Sequence, residues 1–263
     1  MNRALYVAKT GLEAQQLRLA AISNNLANAN TYAYKAGRAE FDDLMYQNVR
    51  QPGAQASQEV SNTLPSGLQL GTGVKAVGVQ KIHTQGNTIV TDNQLDIMIE
   101  GRGFFQVLDQ EGNLMYTRDG SFQVNQDGDV ATSSGYLLEP NINIPQDTTE
   151  ISITADGVVY VTQPGNTEQT EVGQIELATF INPAGLESLG HNFYAETTAS
   201  GTPNTNNPQT DEVGALVQGA LEASNVNTVE ELIGMIEAQR TYEMNSKAIS
   251  AADGMMQYLN NNV

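Results

Sequence analysis

The stretch "NNLANANTYAYK", residues 24–35, places four asparagines in twelve positions at the end of a long helical pattern. Asn is a poor helix former because its side chain competes for nearby backbone hydrogen bonds. The stretch therefore marks the end of a first helix. Asn also tolerates the left-handed conformation and can satisfy the carbonyls that a helix end leaves unpaired. The run is either an ordinary helix cap and turn or a set of hydrogen-bonding joints between subunits.

The residues before this stretch repeat apolar side chains at alternating spacings of three and four, with Gln15 as a polar break. This spacing is typical of a coiled-coil seam. The seam positions are Leu5, Ala8, Leu12, Gln15, Leu19, Ile22 and Leu26.

The C-terminal end of the chain carries a matching pattern. Asn227 is a candidate N-cap, and Glu230 follows three residues later as in a capping box. Leu232 and Ile236 widen the apolar stripe that follows. Its seam positions are Met235, Ala238, Tyr242, Asn245, Ile249, Ala252, Met256 and Leu259. We expect the first and last helices to lie side by side.

The middle of the chain alternates apolar and polar residues, as in "QLDIMIEGRGFFQVLDQEGNLMYTRDGSFQV", residues 94–124. Turn signals separate these short runs, which indicates an antiparallel β domain. The signals are Glu111-Gly112-Asn113, Asp119-Gly120, Asp127-Gly128, Ser134-Gly135 and Asp156-Gly157. Two polar stretches, residues 51–73 and 199–214, are interpreted as loops.

These patterns predict an α+β fold. The paired terminal helices form a coiled-coil-like inner domain, and an antiparallel β-rich domain is inserted between them. We divide the chain into an N-terminal helix at residues 1–30, a junction and extended loop at 31–72, a β-rich outer domain at 73–221 and a C-terminal helix at 222–263.

The charge and the composition exclude several classes of protein. The net charge is -18, and residues 51–223 hold 21 acidic but four basic groups. Nucleic acid and anionic membranes repel such a chain, so we expect neither as a partner. The absence of Cys excludes disulfides and thiolate chemistry. Lys9, Glu13 and Arg18 interrupt the N-terminal apolar residues, so we expect no cleaved signal peptide and no membrane insertion.

The sequence gives no sign of a cofactor, a metal site or an active site. His83 and His191 are the two histidines, and neither has a partner at metal-ligand spacing. Carboxylates that could form a glycosidase pair all fall at predicted turn tips, where no cleft is implied. They are Glu111, Asp119, Asp127 and Asp129. We therefore expect a protein that is not an enzyme and binds no cofactor.

The terminal helices have narrow apolar seams for their length. Ordering a backbone costs conformational entropy, and one narrow seam buries too little apolar surface to offset that cost. Neighbouring copies could supply the missing burial. We therefore expect both ends to be largely unfolded in the monomer and to fold on assembly.

The asparagine stretch also resembles a known signature. "SNNLANANTYAYK" is similar to the N-terminal signature of bacterial flagellar rod and hook proteins, which reads ANNLAN, then Thr, then Gly-Phe-Lys. Ser23, Ala33 and Tyr34 depart from that signature, while Lys35 matches it. If the site of Ala33 needs positive φ, Ala costs about 1 kcal/mol or more relative to Gly.

The resemblance extends along the whole chain. "ASNVNTVEELIGMIEAQRTYEMNSKAIS", residues 223–250, is similar to the closing helix of the same family, and "GRGFFQV" with "YTRDGSFQVNQDG" resembles its β domain. "YQNVRQPGAQAS" and "TLPSGLQLGTGVK" resemble the distal rod group within that family.

The resemblance implies a structural subunit of the flagellar distal rod, a helical polymer that encloses the export channel and transmits motor torque to the hook. It implies export through the flagellar type III apparatus and a place in the basal body from the periplasm to the outer membrane. The implied partners are further copies of the chain, the proximal rod proteins, the hook protein, the L-ring and P-ring proteins and the rod cap protein. Residues 47–72 are expected to pack between neighbouring subunits and to stiffen the rod.

From the seams, the signature and the loop, we expect a set of residues at the interfaces between subunits. They are Leu5, Leu12, Leu19, Ile22, Asn24, Asn25, Leu26, Asn28, Thr31, Tyr34, Lys35, Gln51, Pro52, Leu64, Pro65, Asn225, Asn227, Met235, Arg240, Tyr242, Asn245, Lys247, Ile249 and Met256.

Two alternatives stay open. The first is another axial protein of the flagellum, either proximal rod or hook. The second belongs to a different class: a monomeric secreted binding module that carries a β head on a coiled-coil stalk and recognises its partner through the acidic β domain.

Overall fold

The computed structural model describes residues 3–50, 66–109, 111–164, 169–210 and 212–261. In these residues a helix lies near each end of the chain and short strands fill the middle, so the predicted α+β fold is confirmed. The helices are α1 (Arg3–Ala27) and α2 (Thr228–Asn261), and a short 3-10 helix spans Pro183–Gly185. The strands are β1 (Gly37–Asp43), β2 (Gln47–Arg50), β3 (Leu68–Leu70), β4 (Val74–Lys81), β5 (Thr88–Val90), β6 (Ile97–Glu100), β7 (Phe104–Leu108), β8 (Leu114–Thr117), β9 (Phe122–Val124), β10 (Val130–Thr132), β11 (Leu137–Glu139), β12 (Glu150–Ile153), β13 (Val158–Thr162), β14 (Thr170–Gln174), β15 (Leu177–Thr179), β16 (Glu187–Gly190), β17 (Phe193–Ala195), β18 (Asn204–Asn206), β19 (Ala215–Gln218) and β20 (Ala220–Glu222).

Packing divides the chain into two compact units. The first, the helical unit, combines Met1–Leu26, Gly37–Gln80 and Asn227–Val263. The second, the β body, combines Ala27–Ala36 and Lys81–Val226. The four-part division of the chain stays a prediction.

In the helical unit, α1 and α2 pack side by side and antiparallel. A Cβ atom on Gly11 would lie 3.0 Å from Nδ2 of Asn245, so α1 approaches this polar seam position of α2 closely. Further along, Arg18 forms an ion pair with Glu237 at 3.6 Å. The seam follows the predicted spacing, and Ala238 at its centre is 0% exposed. The paired helices therefore have the coiled-coil-like form that the sequence predicts.

The start of α2 confirms the predicted N-cap. Oδ1 of Asn227 accepts a hydrogen bond from the backbone N–H of Val229 at 3.2 Å, and the carbonyl of Asn227 accepts from Glu231 at 3.0 Å. A side-chain oxygen at this position satisfies one of the donors that the first turn leaves unpaired.

The β body is antiparallel in every pairing that the structure gives for it. Its largest sheet has nine strands, with β16, β17, β8, β7, β11, β10 and β9 in order, while β15 pairs with both β7 and β18. Strands β12, β13 and β14 form a second sheet, and β19–β6 and β20–β5 form two further pairs. Phe105 and Phe122 lie in the apolar core, with ring centroids 5.1 Å apart in an edge-on contact.

The predicted turns lie between strands of the β body. Gly112, Gly128, Gly135 and Gly157 all have positive φ, between 82° and 91°. Glycine adopts this conformation without the steric cost that a Cβ imposes, which is why the Asp-Gly and Ser-Gly signals predicted these turns correctly.

Two stretches that the sequence predicts as loops contain short strands. β18 lies within residues 199–214 and pairs with β15, for example Asn206 with Leu177. β3 lies within residues 51–73 and pairs with β2. A strand at the edge of a sheet needs backbone hydrogen bonds but no apolar alternation, so the polar composition of β18 concealed it.

We expect Leu138→Ala to lower the free energy of unfolding by about 2–5 kcal/mol, because it leaves a cavity in the core of the β body. Leu138 is 0% exposed on β11. The matched control is Leu114→Ala on β8, where the side chain is 44% exposed and a change of about 0.5 kcal/mol or less is expected. Urea unfolding followed by circular dichroism measures both. Equal losses in the two variants would contradict the core assignment.

Candidate functional site

Most of the predicted seam residues are buried or half-buried. Ile22 is 7% exposed, and Met256, near the C-terminal end, is 37% exposed. The half-buried seam residues are Leu5, Leu12, Leu19, Leu26, Met235, Tyr242, Asn245 and Ile249. Of these residues, Ile22 approaches Gly234 and Asn245 approaches Gly11 on the facing helix. Contact of the seam residues with a second subunit stays a prediction.

A second apolar face on α2 is exposed. We call it the outer stripe: Val229 (63% exposed), Leu232 (47%), Ile233 (53%) and Ile236 (51%). Because each helical residue turns by about 100°, Ile233 lies about 140° around the helix from buried Ala238. Arg240 and Lys247, two predicted interface residues, are also exposed on α2. The first turns of α2 are thus apolar on this exposed side as well, which is typical of a helix that is covered on both sides.

The asparagine run makes hydrogen bonds inside the chain. Asn25 is 2% exposed; its Nδ2 donates to the carbonyl of Gly37 at 2.9 Å and to Oε1 of Glu231 at 2.8 Å. Its Oδ1 accepts the N–H of Gly37 at 2.8 Å. Asn28 Oδ1 accepts from the hydroxyl of Thr31 at 3.3 Å, while Asn24 is exposed. Asn25 thus links the end of α1 to the following strand and to the first turn of α2.

In the β body, the segment after α1 is held beside the segment before α2. Ala33 N–H donates to the carbonyl of Glu222 at 2.7 Å, and Asn225 N–H donates to the carbonyl of Tyr34 at 3.3 Å. Oδ1 of Asn225 accepts the N–H of Ala36 at 2.7 Å, and its Nδ2 donates to the carbonyl of Ile82 at 2.8 Å. Tyr34, Lys35 and Asn225, which the sequence selected, therefore lie in one place.

Ala33 has the conformation that its family counterpart, Gly, would favour. Its φ is 55°, in the left-handed region, and its side chain is 1% exposed. This φ is one that Gly adopts without steric cost. Burial of the methyl group offsets part of the cost of about 1 kcal/mol that a Cβ brings there.

Charged side chains converge at the same place. We call them the junction cluster: Lys35, Lys81, His83, Arg118 and Glu222. Lys35 Nζ lies 2.5 Å from Oε1 of Glu222 and donates to the carbonyl of Thr84 at 2.9 Å. Arg118 lies 3.6 Å from Oε2 of Glu222. Lys35 is 0% exposed and Arg118 is 6% exposed, so two buried cations share one carboxylate.

Burial shifts the ionisation of these groups. Desolvation lowers the pKa of Lys35 and of Arg118, and the charge of Glu222 opposes the shift in each case. Desolvation also lowers the pKa of Lys81, whose Nζ lies 4.2 Å from the ring centre of Tyr34. The pKa of His83 falls to about 4, first through burial and then through the charges of Lys35, Arg118 and Lys81. A buried cation costs free energy unless an anion compensates it, so Glu222 is essential to the cluster.

Sequence reasoning selected Lys35 but missed Glu222, Arg118 and His83. One signal was available: residues 51–223 carry four basic groups in all, and Lys81 and Arg118 are two of them. The partners lie far away in sequence, since Lys35 and Glu222 are 187 positions apart. The predicted interface residues Gln51, Pro52, Leu64 and Pro65 lie outside the described residues.

The acidic turn residues serve the turns themselves. Asp119 Oδ1 accepts the N–H of Ser121 at 3.0 Å. Oδ1 of Asp129 accepts from Asn143 at 2.8 Å and from Asn141 at 3.2 Å, and these bonds lower the pKa of Asp129. Across the described ranges, no three His, Cys, Asp or Glu side chains are grouped so that they could hold a metal ion. No helix in the same ranges has the length and apolar content needed to cross a membrane.

We expect Lys35→Met to lower the free energy of unfolding by about 3–5 kcal/mol, because it removes the closest partner of the buried Glu222 carboxylate. The control is Lys75→Met, since Lys75 is exposed and lies 3.9 Å from an exposed Asp42 carboxylate. That change should stay within about 0.5 kcal/mol. Thermal unfolding followed by circular dichroism measures both; a Lys35→Met loss no larger than the control would contradict the assignment.

Three protein-family models match this chain, one at each end and one in the middle. Residues 5–35 match the model described as "Flagella basal body rod protein". Residues 98–161 match "Flagellar hook protein FlgE/F/G D1 domain", and residues 217–262 match "Flagellar basal body rod FlgEFG protein C-terminal". The three matches cover α1 with its junction, the centre of the β body, and α2 with the strands before it.

Relatives that align with nearly the whole chain show which member of the rod and hook proteins it resembles. The chain is 52% identical to the flagellar basal-body rod protein FlgG of Buchnera aphidicola, over 98% of this chain and 99% of the relative. It is 46% identical to FlgG of Caulobacter vibrioides, over 97% of each chain, and 36% identical to FlgG of Bacillus subtilis, over 99% of each. The chain therefore belongs to the family of the flagellar basal-body rod protein FlgG.

Proposed function

We propose that this chain is the structural subunit of a flagellar distal rod, and that copies of it assemble into a straight helical tube. The terminal helices would form the inner wall around the export channel, and the β bodies would form the outer wall. The observation that carries the proposal is the outer stripe of α2, which is exposed although the other face of the helix is already buried against α1.

The outer stripe is the kind of surface that assembly would cover. Apolar surface leaves water at a gain of about 25 cal/mol per Å² buried, so a row of exposed Val, Leu and Ile side chains favours association. Arg240 and Lys247 follow Ile233 at intervals of seven residues, hence along the same side of α2. These basic groups could pair with acidic groups of a neighbouring copy and fix its register.

The helical unit exposes further apolar residues on its strand pairs and in the segment between β1 and β2. β2 pairs with β3 and β1 pairs with β4, each as a two-stranded sheet. Such a pair is marginal in water unless something packs on it. The exposed apolar residues of the two pairs and of the segment between β1 and β2 are Met45 (89%), Tyr46 (53%), Val49 (58%), Leu68 (49%), Val77 (58%) and Val79 (49%). We propose that neighbouring subunits cover these residues, and that residues 47–72 stiffen the tube.

The further partners follow from the proposed place in the flagellum. We propose contacts with the proximal rod proteins, the hook protein, the L-ring and P-ring proteins and the rod cap protein, and export through the flagellar type III apparatus. A chain without Cys suits passage in an unfolded state, because no disulfide has to form or break. The acidic middle of the chain would repel other acidic surfaces, which favours a shaft that turns freely.

The function is tested by electron microscopy of the concentrated protein, which should show straight tubes. Ile233→Glu should raise the concentration needed for assembly by more than about tenfold. The substitution places a charge on apolar surface that assembly would bury. Ser246→Glu, at an exposed polar position of the same helix, is the matched control and should assemble normally.

Three outcomes would contradict the proposal. Discrete stalked particles would favour the monomeric binding module, and supercoiled tubes would favour a hook-type protein. Equal effects of Ile233→Glu and Ser246→Glu would remove the role of the outer stripe.

We also propose that residues 3–26 and 228–261 become stable helices when copies assemble. In dilute solution, trypsin should cleave within the helical unit much faster than within the β body, and assembly should remove the difference. Mass spectrometry of the fragments gives the sites. Cleavage that is equally slow in both units of the dilute protein would show that the helices are stable alone.

A further inference from the structure

The junction cluster has a charge balance that needs explanation. The whole chain has 12 basic and 30 acidic residues, yet two of the basic ones share the Glu222 carboxylate here and a third, Lys81, lies beside them. Lys35 and Arg118 are within 4 Å of Glu222, and Lys81 Nζ donates to the carbonyl of Lys35 at 2.9 Å. At neutral pH the site therefore holds an excess of positive charge in a buried place. Any further proton taken up here is repelled by these cations.

His83 is the group at which a further proton would arrive. Its ring lies edge-on to Phe104 and Tyr194, with centroid distances of 5.7 Å and 5.6 Å. Burial disfavours its charged form, the charges of Lys35, Arg118 and Lys81 add to this effect, and one hydrogen bond with the backbone of Pro183 opposes it. Two further titratable groups adjoin the cluster, Tyr34 and Tyr194. The pKa of Tyr194 is raised to about 12, so its hydroxyl stays neutral.

The residues on either side of His83 make backbone hydrogen bonds to the two chain segments, residues 33–36 and 220–225. The residue before it, Ile82, donates its N–H to Ala36 and accepts Nδ2 of Asn225. The residue after it, Thr84, accepts both Lys35 Nζ and Nδ2 of Asn225 through its carbonyl. A displacement of His83 therefore strains the contacts on either side of it.

We propose that the junction cluster is an acid-released joint, which holds residues 33–36 and 220–225 together in the β body at neutral pH and releases them when His83 gains a proton. Lys35, Glu222 and Asn225 act as positioning residues for the two ends, because they fix where the chain enters and leaves the body. The inference concerns the single chain, so it does not depend on polymerisation, and a failure to form tubes would leave it intact.

The direction of the pH dependence follows from the two states. In the released state His83 takes up a proton near its ordinary pKa of 6.5, and in the closed state only near 4. The closed joint is therefore most stable above pH 6.5 and weakens as the pH falls from 6.5 towards 4. At pH 4 the equilibrium between the closed and the released joint should have shifted about 100-fold towards release.

Hydrogen exchange of the full-length protein, read by mass spectrometry and corrected for the intrinsic rate at each pH, tests the joint. Peptides that cover 33–36 and 220–225 should lose protection about 100-fold more than the control strand Val158–Thr162 between pH 6.5 and about 4. The control strand belongs to a different sheet of the same body. Simultaneous loss in both regions would overturn the proposal, since it would indicate unfolding of the whole body.

The two histidines provide a matched pair of variants. His83→Gln cannot gain a proton in this range, so the 33–36 and 220–225 peptides should keep the same protection across it. His191→Gln, at an exposed position, should respond to pH like the unmodified protein. Because the readout is the ratio of protection between two pH values, a general loss of stability in His83→Gln does not mask it. An unchanged pH response in His83→Gln would overturn the proposal.

A second variant tests the charge balance. Glu222→Gln removes the carboxylate that compensates Lys35 and Arg118, so the same peptides should exchange rapidly already at neutral pH. Protection equal to that of the unmodified protein at neutral pH would show that the charges do not hold the joint, and would overturn the proposal.

Discussion

The ion pair between Lys35 and Glu222 is the interaction on which the junction of this chain depends. Both side chains are almost fully buried, and their charged atoms are 2.5 Å apart. Burying either charge alone would cost several kcal/mol, so the segment around Lys35 can enter the β body in one register. A shift by a single residue would place Tyr34 or Ala36 opposite the carboxylate. The pair therefore fixes the register at which residues 33–36 and 220–225 meet within the β body.

The two units of the chain differ in how complete their burial is. The β body has a closed apolar core, built from sheets whose turns and registers are satisfied within the chain. The helical unit has a buried seam but also exposes the outer stripe and the apolar residues of its strand pairs. A subunit of a polymer needs such an arrangement, because it must be stable enough to remain specific and still keep apolar surface for its neighbours.

Local patterns in the sequence predicted local structure well. The alternating three and four spacing predicted the seam, Asn227 predicted the start of α2, and the Asp-Gly signals predicted the turns. Each of these depends on residues within a few positions of one another, so a single sequence shows it. β18 was missed because its strand character comes from pairing with β15 and not from its own polar residues. The outer stripe was noticed in part, through Leu232 and Ile236, but Val229 and Ile233 were not selected.

By itself the sequence determined the paired terminal helices, the inserted antiparallel β domain, the acidic middle of the chain and the resemblance to flagellar rod proteins. These rest on periodicity, composition and short motifs, all of which act over short distances along the chain. The tertiary structure alone decided that Lys35, Arg118 and Glu222 meet, that His83 lies against them, and that Ala33 adopts positive φ. Residues separated by 187 positions come together through the folding of the whole β body, and the burial that shifts their ionisation exists only once that body is closed.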